Sequence, residues 1–562
     1  MMKKIKTKFK SKLLLVSTLL ALTGSTVLFT AAVKSKDPYF QIAKNIDIFT
    51  NLYKQVNMYY VDETTPGSLM KSAIDAMLKS LDPYTVYYPE SDIEDFKFMT
   101  TGQYGGIGAV IRTIDKHVVV SEPYEGFPAH KAGLRAGDKI ITADGDTAIG
   151  KNSSEMSKIL KGQPGTNVEL VVKRPGTEDL ISFTVTREEV KIDNVPHYGE
   201  IAPKVGYIHL RGFTQNAGKD VKDALVELKE EKNIESVVLD LRGNGGGLLR
   251  EAVNIVNLFV PKGVEVVSTR GQNEEWNRSH QTLNKPVDLD IPLIVLIDGS
   301  SASASEIVAG TIQDLDRGVV IGQTSFGKGL VQQTKDLSYN SKMKITVAKY
   351  YIPSGRCIQK LDYSEKDEFG RAKPMPDSLK GEFTTKNGRK VFDGDGIEPD
   401  IYIEEQKTPP ILAALVRKNF IFDYATIYRL KNESIAPPES FKLSNADYQS
   451  FKAFLSDKDY DYTTKTEEML EKLEKATKKE QYYEKLEKAY AALKSEIKHN
   501  KEQDLETFKE QIIPVLENEI AARYYYQKGR ILTSMNGDQN IDKAVEVFTQ
   551  NELYNEILTQ VD

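Results

Sequence analysis

Two apolar segments, each followed by small residues and then by a helical pattern, constrain the fold of this chain most. "IESVVLDLRGNGGG" (234–247) passes from a β-branched run into a glycine-rich turn, and "PLIVLIDGSSASASE" (292–306) passes from another such run into a serine-rich turn. Continuous apolar runs of this length are typical of strands that are buried on both faces. The pattern therefore predicts an α/β core with a substantially parallel sheet, whose sites form at the carboxyl ends of the strands.

The regions on either side of this core differ from it in pattern, so the fold class is a multidomain combination of α/β, β and α parts. Short β-rich runs precede the core, and charged helical segments lie at both ends of the chain. We predict five regions: 1–35, a signal peptide or membrane anchor; 36–101, an N-terminal helical module; 102–190, a β-domain; 191–406, the α/β core; and 407–562, a C-terminal helical extension.

The first region predicts export. Basic residues precede an uncharged run over residues 13–33, which is long for a signal-peptide core and just long enough to span a bilayer. The charge asymmetry puts the rest of the chain outside the cytoplasmic membrane, either periplasmic or anchored and facing outward. Ala31 and Ala32 allow cleavage without deciding it, so membrane association through 13–33 is an open alternative.

Composition excludes several classes of function. The only cysteine is Cys357 and the six histidines form no metal-binding motif, so we expect no disulfide framework, no metal site and no cofactor. The formal net charge is −6 and basic residues cluster only at the N-terminus, which argues against nucleic acid as a partner.

The serine-rich turn has two interpretations. Ser303 and Glu306 have the spacing of a capping box, which makes the turn a helix start. A serine at such a position can also be a nucleophile, because the first amides of the helix favour an oxyanion there. No histidine lies nearby to act as its base, and the GxSxG elbow is absent.

A lysine downstream is the candidate base. In "GQTSFGKGLVQQ", Lys328 lies between glycines, and Phe326 and Leu330 would desolvate its ammonium and favour the neutral amine. The amide of Gln332 would orient that amine. The same stretch nearly matches a nucleotide-binding loop, but Gly329 stands where that loop requires Ser or Thr, and no helix pattern comes after it.

Small residues also open the β-rich region. In "YGGIGAVI", the amides of Gly106, Ile107 and Gly108 could hold a terminal carboxylate while the following strand edge pairs with an extended peptide. A plain tight turn is the alternative. With "AHKAGLRAGDKIITADG", the region resembles a PDZ domain.

Five motifs together resemble the carboxyl-terminal processing proteases, also called tail-specific proteases. They are "DGSSASASEIVAGTIQD", "GQTSFGKGLVQ", "YYIPSGRCIQ", "DLRGNGGG" and "GDGIEPD". The resemblance implies that Ser303, rather than Ser301 or Ser305, is the nucleophile, Lys328 its base and Gln332 a third catalytic residue. It also implies an oxyanion hole formed by the amides of Ala304 and of one glycine, for which we choose Gly246 over Gly245 and Gly247.

The resemblance thus implies an exported serine endopeptidase that recognises the C-terminal tails of proteins. The alternative is a non-catalytic envelope scaffold that binds tails through its PDZ domain. Two segments depart from the family pattern: an insertion after "SGRCIQ" and the long region after Pro410. The seam Tyr483, Leu486, Tyr490, Leu493 and Ile497 fits either packing within the chain or a partner interface, so a homo-oligomer or an adaptor contact through the helical regions is an open alternative.

Overall fold

The computed structural model describes residues 38–559, with the backbone alone at 38, 498–502 and 551. The predicted leader and its apolar run, 13–33, lie outside the described residues. Within the described range, no helix combines the length and the apolar character needed to cross a membrane. The chain divides after Ser80 into two units, so residues 81–101 of the predicted helical module belong to the larger unit.

The smaller unit consists of two helices, α1 (Pro38–Tyr59) and α2 (Pro66–Lys79). Proline at the first position of α2 is compatible with a helix start, because that position has no intrahelical acceptor for an amide. The phenol of Tyr53 donates to the carbonyl of Pro66 at 2.8 Å and links the helices. The apolar residues Ile48 and Leu52 of α1 are more than half exposed.

The larger unit opens with a turn at Asp82, strand β1 (Val86–Tyr88) and helix α3 (Ile93–Thr101). A carboxylate oxygen of Asp82 accepts from the amides of Tyr84 and Thr85 at 2.8 and 2.7 Å. This Asx turn fixes the backbone that carries Tyr84, whose side chain reaches the candidate active site.

The β-rich region forms the predicted PDZ-like domain around its own apolar core. Its elements are β2 (Gln103–Gly106), β3 (Ala109–Ile114), β4 (His117–Pro123), α4 (Pro128–Ala132), β5 (Lys139–Ala143), β6 (Asp146–Thr147), α5 (Ser153–Leu160), β7 (Asn167–Lys173), β8 (Leu180–Thr186) and β9 (Glu188–Lys191). The strand order is β3-β4-β5-β7-β8, while β2 pairs with β9 at the base of the domain. Strand β3 is therefore an edge strand, as the tail-binding prediction requires.

The α/β core contains two sheets. Its elements are β10 (His197–Ala202), β11 (Val205–His209), α6 (Ala217–Glu231), β12 (Ser236–Asp240), α7 (Leu249–Val256), β13 (Glu265–Gly271), β14 (Arg278–Gln281), β15 (Leu293–Ile297), α8 (Ala304–Asp314), β16 (Val319–Gly322), β17 (Leu330–Asp336), β18 (Lys342–Tyr351), β19 (Leu361–Lys366), β20 (Ala372–Pro374), β21 (Glu382–Thr384), β22 (Lys390–Phe392) and β23 (Ile401–Tyr402). The first sheet has the order β10-β11-β12-β15-β16-β23 and is parallel except at β10. The second sheet is antiparallel, with the order β1-β18-β13-β14 and with β17 paired to β18.

The predicted α/β class is confirmed, and both apolar runs are central strands of the parallel sheet. Every residue of β12 and β15 is buried because helices cover both faces of the sheet. One face packs against α6, α7 and α8. The segment after Gly329 is a strand, β17, which agrees with the argument against a nucleotide-binding loop.

The C-terminal region is helical, as predicted. Its helices are α9 (Pro410–Arg417), α10 (Phe420–Lys431), α11 (Asn445–Leu455), α12 (Lys465–Lys479), α13 (Tyr483–Thr507), α14 (Lys509–Ser534), α15 (Gln539–Thr549) and α16 (Asn551–Thr559). Most of them share a separate apolar core. Of the predicted seam on α13, Tyr490 is buried and stacks on Tyr483, whereas Leu486 and Leu493 are 39% and 48% exposed. The seam thus packs within the chain in part only.

The last two helices pack on the second face of the parallel sheet. Ile541, Ala544 and Val547 of α15 and Tyr554 of α16 share one apolar cluster with residues of β11, β12, β15 and β16. The phenol of Tyr554 also donates to the carbonyl of Leu293 at 3.2 Å. The C-terminal extension therefore supplies the third layer of the α/β core.

The inserted segment after "SGRCIQ" forms two small hairpins, β19 with β20 and β21 with β22. Tyr363 lies on β19 and projects a phenol that meets the phenol of Tyr84 at 3.1 Å. The insertion thus contacts the segment that lies beside the candidate base.

Candidate active site

Ser303 lies between the end of β15 and the first turn of α8. Its backbone has φ 58° and ψ −109°, a sparsely populated conformation for a residue with a side chain. Such strain costs about 1–3 kcal/mol and is retained where the surrounding structure requires it, which is typical of functional sites. The sharp turn presents the hydroxyl at the helix N-terminus, although the sequence lacks the usual elbow motif.

The neighbouring serines have structural roles instead. Ser301 and Ser305 are fully buried, and their hydroxyls donate to the backbone carbonyls of Leu241 and Asn244, each at 2.8 Å. These bonds hold the glycine-rich turn against the serine-rich turn. Ser303, by contrast, lines an open cleft. Of these three serines, Ser303 is the one placed to meet a substrate.

Glu306 joins the turn that carries Ser303 to the loop that carries Lys328. One carboxylate oxygen accepts from the amides of Ser303 and Lys328 at 2.7 and 2.9 Å. The other accepts from the hydroxyl of Ser325 at 2.5 Å and from the amide of Gly327 at 2.6 Å. Burial raises the pKa of this carboxyl, while the four donors act in the opposite direction and favour its charged form.

Lys328 has the environment that a lysine base requires. Burial and the charge of Lys344 lower its pKa from 10.5 to about 8, while Glu306 and Asp82 oppose this change. Of the two side chains predicted to desolvate the amine, Phe326 is 44% exposed and Leu330 is half-buried, and the ring of Tyr84, which was not predicted, lies over the amine. The distance from Lys328 Nζ to the centre of that ring is 4.3 Å.

Gln332 lies on β17 and does not orient the amine in this structure. Its side-chain amide donates to the hydroxyl of Thr346 on β18 at 3.2 Å. Thr346 in turn lies beside Thr85, whose hydroxyl accepts from the Thr346 amide at 3.2 Å. Gln332 therefore holds the wall of the cleft here, and its assignment as a third catalytic residue stays a prediction.

The predicted oxyanion donors lie next to each other. Ala304 begins α8, where amides have no intrahelical acceptor. Gly246 packs so closely that a Cβ on it would lie 2.9 Å from the Ala304 nitrogen and 3.0 Å from the Ser303 Cβ. However, the Gly246 amide donates to the side-chain oxygen of Asn244 at 2.9 Å, so it is engaged in this structure. The assignment of Gly246 as a donor thus stays a prediction.

A single cleft of about 1010 Å³ brings the predicted catalytic residues together. Those that line it are Ser303, Ala304, Lys328, Gln332, Gly245, Gly246 and Gly247. Its walls come from α3, from the turn before α7 and from β17 and β18. The glycine-rich and serine-rich turns that line it follow β12 and β15, so the site lies at the carboxyl ends of the parallel strands as expected. Apolar side chains such as Leu248 and Ile307 cover part of the wall and suit an extended peptide.

The predicted tail-binding residues lie apart from this cleft, where the chain passes from β2 to β3. Gly106 ends β2, Ile107 is buried in the domain core and Gly108 has φ 71° with Phe127 packed against it. The carbonyls of Ile107 and Gly108 accept from the amides of Ala129 and Tyr124. These bonds fix the loop before the edge strand β3, where an extended peptide could pair.

Sequence reasoning missed several residues of the site. It treated Glu306 only as a helix cap, because three of its four donors belong to a loop that is near in space but distant in sequence. It did not predict Tyr84, Lys344 or Asn244 as neighbours of the site. No local pattern marks Tyr84 or Lys344, because the second sheet brings them to the cleft.

Titratable groups elsewhere in the described part of the chain do not suggest a metal site. His197 and His209 are direct partners across β10 and β11, and burial lowers the pKa of both imidazoles. Across the described residues, no group of three or more histidine, cysteine or carboxylate side chains is arranged to hold a metal ion.

Three family models match the chain. The model described as peptidase family S41 matches residues 204–365, and a PDZ domain model matches 105–186. A third, described as the C-terminal helical domain of a probable PDZ-protease, matches 411–548. The order of the three matches is that of the PDZ domain, the α/β core and the helical region of the structure.

Curated relatives also match the chain. A carboxy-terminal-processing protease of Bartonella bacilliformis is 34% identical over 350 residues, which are 62% of this chain and 78% of that protein. Carboxy-terminal processing protease CtpB of Bacillus subtilis is 34% identical over 320 residues, 56% of this chain and 66% of that protein. A solved structure named photosystem II D1 C-terminal processing protease is 28% identical, covers 64% of this chain and 93% of its own, and aligns with a TM-score of 0.34.

Proposed function

Because this chain belongs to peptidase family S41, among its carboxy-terminal processing proteases, we propose that it is an exported serine endopeptidase with a Ser303–Lys328 dyad that acts on C-terminal regions of proteins. One observation carries the proposal. The strained Ser303 and the buried, pKa-lowered Lys328 line the same cleft and are joined through the carboxylate of Glu306. Buried lysines with lowered pKa values are suited to act as bases near neutral pH.

The proposed reaction is acyl transfer in two steps. The neutral amine of Lys328 takes the proton of the Ser303 hydroxyl, whose oxygen attacks the peptide carbonyl. The amide of Ala304 and one amide of the glycine-rich turn stabilise the oxyanion. The ammonium returns the proton to the leaving amine, which departs. Water, deprotonated by the same amine, then attacks the acyl-enzyme. The bond between the acyl carbon and the Ser303 oxygen breaks, and the ammonium returns the proton to that oxygen.

The PDZ domain supports recognition of tails. The edge strand β3 lies beside α5, whose Ser153 amide donates to the Thr113 hydroxyl of that strand at 2.9 Å. A peptide that paired with β3 would place its carboxylate near the amides of Gly106, Ile107 and Gly108. A substrate with a free C-terminus is therefore cleaved faster than the same substrate amidated. Equal rates would remove this role from the three residues.

Export is part of the proposal. Its support is the basic N-terminus followed by the apolar run 13–33.

The helical regions are candidates for contacts with a second copy or an adaptor, because Leu486 and Leu493 of α13 are partly exposed. The size of purified full-length protein in light scattering tests this, and a monomer at all concentrations would exclude self-association.

The test of the proposed function is Ser303→Ala. It abolishes cleavage of an unstructured protein and labelling by a covalent serine probe, and it leaves the urea unfolding midpoint nearly unchanged. The matched control is Ser300→Ala, an exposed serine of the same turn, which retains both activities. Cleavage by Ser303→Ala would refute the dyad. Absence of both cleavage and labelling in the wild type would favour the non-catalytic scaffold.

A further inference from the structure

Tyr84 is in direct contact with the candidate base and has no role in the proposed acyl transfer. The centre of its ring lies 4.3 Å from Lys328 Nζ, within the range of a cation–π contact. Among the side chains that the structure describes, none is a hydrogen-bond or salt-bridge partner of Lys328 Nζ, and the ring lies directly over the amine.

Two sets of contacts fix this ring. On the backbone side, the Asx turn at Asp82 holds Tyr84, and Thr85 in the same turn is bonded to Thr346 on β18. On the side-chain side, the phenols of Tyr84 and Tyr363 lie 3.1 Å apart, and their rings meet edge to face with centres separated by 5.8 Å. The inserted hairpin β19–β20 therefore reaches the base through Tyr363 and Tyr84.

A ring face suits a lysine that must act as a base. The hydrogens of a neutral amine are attracted to the π face, which leaves the lone pair without a competing donor and free for the serine proton. The ammonium formed after proton transfer is attracted to the same face more strongly. The ring therefore serves both protonation states without a hydrogen-bond acceptor that would keep the amine charged.

We propose that Tyr84 is a positioning residue for Lys328, held in place by Tyr363 of the inserted hairpin. This inference rests on the proposed role of Lys328 and gives the insertion a function in the same site. The charged groups that face the amine from other elements are Lys344 on β18, Glu306 on α8 and Asp82 in the turn before β1. Burial and the contact with Tyr363 raise the pKa of the Tyr84 phenol, so the phenol itself stays neutral.

The test compares Tyr84→Leu with Tyr84→Phe by measuring kcat and KM across pH. Tyr84→Leu keeps an apolar side chain over the amine and removes the π face. Because the ammonium then loses its cation–π partner, kcat falls at least about tenfold and the acid limb of the kcat/KM profile moves down by about half to one pH unit. Tyr84→Phe retains the ring and keeps the wild-type acid limb. A purely structural role would lower activity in Tyr84→Leu without moving the limb.

Tyr363→Phe tests the link to the insertion. It and Tyr84→Phe each break the phenol contact, so the double variant loses no more activity than either single variant. Additive losses would overturn the link, and an unmoved acid limb in Tyr84→Leu, or a Phe variant as impaired as the Leu variant, would overturn the positioning role. Failure of the dyad itself is distinguished by Ser303→Ala in the same assay. Cleavage by that variant refutes the dyad, whereas the Tyr84 and Tyr363 variants test only the positioning role.

Discussion

Replacing Lys344 by methionine tests the electrostatic argument for the base. Lys344 lines the same cleft as Lys328, and its charge is the second cause, after burial, of the lowered Lys328 pKa. Methionine keeps most of the side-chain volume and removes the charge. Because a like charge disfavours the ammonium, its removal stabilises the protonated lysine and raises the pKa.

The magnitude can be worked out from the pKa of Lys328. A value of about 8 leaves about a tenth of the amine neutral at pH 7, and the fall from 10.5 corresponds to about 3 kcal/mol against the ammonium. If the charge of Lys344 lowers the pKa of Lys328 by about 0.5–1, its removal reduces the neutral fraction of Lys328 at pH 7 by about three- to tenfold. Above pH 10 the amine is mostly neutral in both proteins, and the difference nearly disappears.

The assay is kcat/KM for an unstructured substrate between pH 5.5 and 10.5. The matched control is Lys349→Met, which removes an exposed charge from the same strand, β18, and leaves the profile unchanged. A loss of activity in Lys344→Met that is equal at pH 7 and pH 10 would mean that Lys344 contacts substrate or supports the fold. If the pH profile of kcat/KM for Lys344→Met matched that of the wild type, burial alone would lower the pKa of Lys328.

Three further predictions concern stability and the contacts of the site. Lys328→Met is inactive, yet at pH 7 its free energy of unfolding in urea melts exceeds that of the wild type by up to about 3 kcal/mol, because no ammonium is buried. Between pH 8 and 10.5 the unfolded wild-type chain binds more protons than the folded one, so the wild type gains stability with pH and the advantage of the variant fades. Glu306→Gln replaces one carboxylate oxygen by an NH2 group, which then faces two of the four donors. Urea melts therefore show a loss of about 2–4 kcal/mol and kcat falls at least about tenfold; wild-type kcat would contradict this. Asp538→Asn weakens the bidentate bond to Arg242 and costs about 1–3 kcal/mol in urea melts, and an unchanged midpoint would exclude a role for that bond.

Much of this architecture is predictable from local pattern. The apolar runs of β12 and β15 predict buried parallel strands because helices must cover both faces of such a sheet, and the structure has them there. The family motifs lead to Ser303 and Lys328 because each of these residues lies within a short continuous stretch that can be recognised in the sequence alone. These predictions needed no knowledge of the second sheet.

The contacts that tune the site could not be predicted in this way. Tyr84 and Lys344 reach Lys328 only because β1 pairs with β18, a contact between segments that are far apart in the chain. The 44% exposure of Phe326 could not be predicted for the same reason, since it depends on what the tertiary fold places beside that side chain. The bond from Gly246 to Asn244 likewise depends on a loop conformation that glycine makes hard to predict.

The position of α15 and α16 on the parallel sheet has a consequence for the order of events during synthesis. These helices cover the second face of β11, β12, β15 and β16, although they are the last helices of the described chain to leave the ribosome. At about 5–20 residues per second, translation completes the strands many seconds before their cover exists. The nascent protease therefore keeps one face of its sheet uncovered during that interval, and its cleft gains a finished scaffold only after α15 and α16 have emerged.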